Sequence, residues 1–122
     1  MKRRTLILLI CAVAVFASAA MAHILVKDVS PSDGGALSAP PRDLRVWFNR
    51  PPDVSKSELG LTGPAGALEI DGLHSMGEND LMARIVGRLP DGEYTASWKA
   101  AGDDGHERKG TWAFTLKRGS GD

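Results

Sequence analysis

The sequence predicts an all-β protein, a single β-sandwich or barrel of about seven short strands. Three observations carry that expectation. Apolar residues beyond position 23 recur with a period of two, the repeat of a strand with one buried face. Gly, Pro and charged residues interrupt the pattern roughly every 8–12 residues, as in sandwiches and barrels. No window in the same region offers a useful apolar stripe at helical spacing.

The elements follow in order. Residues 24–29 form a first strand, ended by Ser30-Pro31-Ser32-Asp33-Gly34-Gly35. Leu44, Val46 and Phe48 alternate with Arg45 and Trp47 in a second, closed by Pro51-Pro52. Residues 59–62 and 67–70 flank Gly63-Pro64-Ala65-Gly66, a hairpin signal. Leu81, Ala83 and Ile85 share one face of a later strand. Tyr94, Ala96, Trp98 and Ala100 share a face of the next, and Trp112, Phe114 and Leu116 a face of the last. Trp98 and Trp112 therefore read as core, whereas Trp47 falls out of phase and is either partly exposed or lines something. Leu89-Pro90-Asp91-Gly92-Glu93-Tyr94 matches the tyrosine corner of immunoglobulin-like Greek-key sandwiches, in which the hydroxyl bonds back to nearby backbone. The alternative for Tyr94 is a ring that stacks on a ligand.

The first 22 residues stand apart from this domain. A basic start (Lys2, Arg3, Arg4) precedes the apolar run 6–16 and then small residues ending in Ala20-Met21-Ala22, the pattern of a cleaved secretory signal. The run is short of the roughly 20 residues that a membrane-spanning helix needs, so no stable membrane insertion is expected after cleavage. Removal of 1–22 leaves 23–122 as the mature domain; a competing cut after Ala19 also satisfies the small-residue rule. Cleavage after Ala22 lowers the basic count from 15 to 12 against 15 acids. A near-neutral to acidic chain without a basic stripe argues against nucleic acid as a partner. The one cysteine, Cys11, lies inside the apolar run, and Ile10 before it is unlike a lipoprotein cleavage site. The mature domain then has neither disulfide nor thiol ligand, and is held by its apolar core.

Two of the three histidines are placed where they can do chemistry. With cleavage after Ala22, His23 offers an α-amine and a ring nitrogen that can close one chelate ring on a metal. Asp104 and His106, in Asp103-Asp104-Gly105-His106, point the same way if the segment is extended. Together they supply three nitrogens and one oxygen, a set that suits Cu(II) or Ni(II) in a flat arrangement and Zn(II) in a tetrahedral one. The bland alternative treats His106 as a solvated residue after an Asp-Gly turn and His23 as an incidental terminus.

Several loose motifs occur in a specific order: a first His followed by Ser30-Pro31-x-Asp33-Gly34, then Pro40-Pro41 leading into Leu44-x-Val46-x-Phe48. Leu61-Thr62-Gly63-Pro64, Leu89-Pro90-x-Gly92-x-Tyr94-x-x-x-Trp98, Asp104-Gly105-His106 and Gly110-x-x-x-Phe114-x-Leu116 complete the run. In these features the chain resembles the CopC family of periplasmic copper-binding proteins. The resemblance implies a seven-stranded Greek-key barrel or sandwich with a Cu(II) site. The ligands it implies are the terminal amine and ring of the first His, with the Asp and His of an Asp-x-His motif. These fall on His23, Asp104 and His106. Two departures stand out. Some relatives have a further carboxylate ligand after the second strand, where this chain has Arg50 in Phe48-Asn49-Arg50. Some also carry a Met-rich Cu(I) loop, where this chain has only His74 and Met76, with Met82 beyond; loop decoration is the expectation there, and a weak Cu(I) site is left open.

The function expected is therefore a monomeric periplasmic protein that buffers Cu(II) or passes it to a CopD-type inner-membrane partner, without enzymatic activity. Two rivals remain: a metal-free immunoglobulin-like interaction module, and a copper-brace oxidase, for which the domain is small and Asp104 fills the position that oxygen chemistry needs open.

Overall fold

The computed structural model describes residues 23–119, and the signal-like segment 1–22 lies outside them. Eight strands follow one another: β1 (Val26–Ser30), β2 (Gly35–Leu37), β3 (Asp43–Phe48), β4 (Glu58–Gly63), β5 (Gly66–His74), β6 (Asp80–Val86), β7 (Gly92–Ala101) and β8 (Glu107–Leu116). A single 3-10 turn, Val54–Lys56, links β3 to β4. The strands are ordered β1-β3-β6-β5-β4-β7-β8-β2. One layer holds β1, β3, β6 and the later part of β5; the other holds β4, β7, β8 and β2. β5 joins the layers, pairing through Ala67 and Leu68 with β4 and from Glu69 onward with β6.

Alternation in the sequence becomes the two inner faces. Leu44, Val46 and Phe48 of β3 face Tyr94, Ala96 and Ala100 of β7 and Trp112, Phe114 and Leu116 of β8 in one buried cluster. The rings of Tyr94 and Phe114 stack at 5.3 Å between centroids. The tyrosine corner is present: the Tyr94 hydroxyl donates to the Pro90 carbonyl. Trp112 is core, and its indole N–H donates to the Pro31 carbonyl at 2.9 Å. Trp98 departs from the expectation in being only partly buried; its edge meets Phe48 at 5.4 Å and its ring lies over Gly110. Trp47 lies half-buried on the outer face of β3 under the Arg45 guanidinium, 4.5 Å from the ring centroid.

The predicted hairpin forms with Gly63 opposite Gly66, leaving Pro64-Ala65 as its turn. The strand count is one higher than expected. The extra strand is β2, three residues that run parallel to the end of β8, with Gly35 opposite Phe114 and Leu37 opposite Leu116. Gly34, at φ +75, turns the chain onto β8 and donates its N–H to the Ala113 carbonyl, while the Asp33 carboxylate accepts from the Ala113 N–H. Partners this remote in sequence leave no local periodicity to detect.

Candidate metal centre

At one end of the sandwich the residues before β1 meet the turn between β7 and β8. Ile24 is the anchor of the first segment: it is 1% exposed and belongs to the core cluster. Burial of an isoleucine is worth about 1.5–3 kcal/mol, which fixes the peptide on either side of it. The β1–β3 ladder ends at Val26 opposite Phe48, and Asn49 continues the grip beyond it. The Asn49 N–H donates to the Leu25 carbonyl at 2.9 Å, and the Asn49 side-chain oxygen accepts from the Leu25 N–H at 2.7 Å. The side-chain NH₂ of Asn49 also reaches the His23 carbonyl at 3.5 Å, a long contact.

The turn supplies the other two groups. β7 and β8 close at Ala101 opposite Glu107, and the Gly105 N–H donates to the Gly102 carbonyl at 3.1 Å. Gly105 has φ +80, a left-handed conformation that favours glycine. The His106 N–H donates to one Asp104 carboxylate oxygen at 3.0 Å, an Asx-type turn. Asp104 and His106 thus converge through a turn, which corrects the extended geometry expected for them. Gly102 is buried against both partners: a Cβ there would stand 3.6 Å from the Ile24 Cβ and 3.4 Å from the Asp104 carboxylate.

His23, Asp104 and His106 consequently meet, each offering a ligand atom within 4.8 Å of the others. One Asp104 oxygen lies 3.2 Å from His106 Nδ1 and 4.0 Å from His23 Nδ1. The two imidazoles are 5.5 Å apart and tilted by 32°. Ligand atoms about 2 Å from a shared ion stand roughly 3–4 Å apart. Both Asp104–histidine spacings fall in that range, and the widest separation in the group, within 4.8 Å, closes on one ion with a small inward shift of an exposed imidazole. The Asp104 side chain is 19% exposed and that of His106 70%, leaving the carboxylate sheltered and the rings accessible. An open depression of ≈ 330 Å³ lined by His23, His106, Glu107 and Arg108 gives access. The His106 N–H holds the Asp104 carboxyl below its ordinary range; its reduced solvation opposes this, and both imidazoles reinforce it. The oxygen is therefore anionic across the neutral range, as a cation ligand must be.

The remaining candidates lie elsewhere. His74 sits opposite Met82 across β5 and β6, and its Nδ1 is engaged with the Gly72 carbonyl at 2.6 Å. Met76 is 57% exposed on the loop beyond. Asn49 and Ile24 carried no functional signal in the sequence; the cue available was an amide residue directly after a strand that pairs with the segment following His23.

The CopC domain model matches residues 26–117. This chain belongs to the CopC family. The matched span includes Asp104 and His106 and begins after His23. Among similar sequences, Protein YobA of Escherichia coli (strain K12) is 25% identical over 100 residues, covering 79% of this chain and 80% of its own. Among solved structures, PcoC, a methionine-rich copper resistance protein from Escherichia coli, superposes with a TM-score of 0.71. It is 24% identical, over 79% of this chain and all of PcoC. CopC from Methylosinus trichosporium OB3b gives a TM-score of 0.70 at 22% identity, over 79% of this chain and 95% of that one. The likeness to these two structures is one of fold.

Proposed function

We propose that this CopC-family protein is a periplasmic Cu(II) carrier that binds one ion and buffers it or delivers it to a membrane partner. In this reading the mature chain begins at His23, whose α-amine and ring bind the ion together with Asp104 and His106. The observation that carries it is the convergence of three donor residues from opposite ends of the chain within 4.8 Å. Three nitrogens and an anionic oxygen favour Cu(II) over softer Cu(I), and the affinity order at such sites places Cu(II) above Ni(II) and Zn(II). The similarity to PcoC supports copper as the cargo. The Cu(I) alternative has less to draw on, since the soft donors after residue 23 are Met76 and Met82. The family resemblance points to a CopD-type inner-membrane protein as recipient; the carrier is expected to act as a monomer and without catalysis, since Asp104 fills the position that oxygen chemistry needs open.

The test is to export the full precursor, read its mature N-terminus by mass spectrometry, and titrate it with Cu(II) while recording EPR spectra. The expected result is a mass starting at His23 and one equivalent of tetragonal, nitrogen-rich copper that His106→Ala weakens at least tenfold. A longer N-terminus, or copper indifferent to that substitution, would overturn the reading. Binding should also weaken on acidification, because protons compete with the ion for the α-amine, of reference pKa about 7.7–8.0, and for the ring nitrogens.

A further inference from the structure

We propose that Asn49 is a positioning residue for the metal centre, holding the 23–25 segment so that His23 faces Asp104 and His106 before an ion arrives. The proposal rests on the Cu(II) reading above. Residues at a chain end fray unless tied down, and the β1–β3 ladder stops at Val26, short of His23. Asn49 bridges that gap. Its backbone N–H and its side-chain oxygen satisfy both backbone groups of Leu25, at 2.9 and 2.7 Å, and its NH₂ reaches toward the His23 carbonyl. Buried Ile24 lies between the two gripped residues. The peptide is thereby fixed on both sides of the core anchor, and the direction in which the chain leaves Ile24 is set. A side chain ending in a single methyl retains the bond from its own backbone N–H to Leu25 but offers nothing to the Leu25 N–H or the His23 carbonyl. His23 then has Ile24 as its main restraint, and an ion must order the terminus as it binds, which lowers affinity.

Residues that orient metal ligands typically contribute 10–100-fold in affinity, and Asn49→Ala is expected to weaken Cu(II) binding by about tenfold. Its near-UV circular dichroism should match the parent's. Hydrogen exchange supplies a readout independent of copper: the Leu25 amide of the metal-free protein should be protected in the parent and exposed in Asn49→Ala. Asn49→Asp keeps the acceptor and should restore both Leu25 protection and the parent EPR spectrum. Wild-type affinity and an unaltered EPR spectrum in Asn49→Ala would overturn the proposal, as would weakened binding with Leu25 still protected. His106→Ala, titrated in parallel, separates the two levels. If it binds copper like the parent, the Cu(II) reading itself fails, and the positioning role with it. If it is weakened while Asn49→Ala is not, only the positioning role fails.

Discussion

Asp80 is fully buried, yet its carboxyl is held below the usual carboxylate range. Burial pushes the other way, but donors from the Glu78 and Met76 N–H groups, the Ser75 hydroxyl and the Arg45 guanidinium outweigh it. One carboxylate thus ties the β5–β6 loop to β3, and removing it leaves three loop donors without their acceptor and Arg45 with only the exposed Glu78 as a carboxylate partner. Asp80→Ala should cost about 3 kcal/mol, measured by denaturant unfolding. The pH dependence follows from the sign of the shift. A folded-state pKa below the unfolded value of about 3.9 gives stabilisation that is complete above pH ~4 and lost as pH falls toward the folded value. Asp80→Asn should accordingly be less stable at neutral pH and lose less between pH 6 and pH 3. None of this was legible in the sequence, because the donors are mostly backbone groups of a loop without a motif. Tyr94 was legible, since Pro90-Asp91-Gly92 before a strand tyrosine is a local pattern carrying its own partner.

At the scale of the element, alternation identified seven strands because each buries one face in a common core. It failed for β2, which is stabilised by remote backbone bonds to β8. The turn of the candidate site shows a mixed outcome. Residue type and the Asp-Gly signal pointed to Asp104 and His106, but the geometry that joins them comes from Gly105 at φ +80. Ring packing supplies the element-scale prediction. Gly110 lies opposite Trp98 on β8, and a Cβ there would stand 2.8 Å from the indole nitrogen. The indole covers the strand where a side chain is missing. Gly110→Ala must displace it, which should destabilise by about 1–3 kcal/mol and alter near-UV circular dichroism.

For the whole molecule, the described residues contain no cysteine, so stability rests on the apolar cluster between the layers. A ligand that binds only the folded state adds to that, by about 2.7 kcal/mol when present at a hundred times its Kd. Cu(II) should therefore raise the melting temperature of a protein starting at His23, and raise it much less with one extra residue in front, which turns the α-amine into an amide. The location of the donors also has a kinetic consequence. His23 reaches Asp104 only after nearly the entire chain has wrapped around the core, with Ile24 seated inside it. An unfolded chain keeps at most the local His23 chelate and does not hold Asp104 and His106 beside it, so under the proposed Cu(II) reading the full ligand set forms only in a finished scaffold. In a denaturant chevron, copper should leave the refolding arm unchanged and slow the unfolding arm, the mark of contacts made after the transition state.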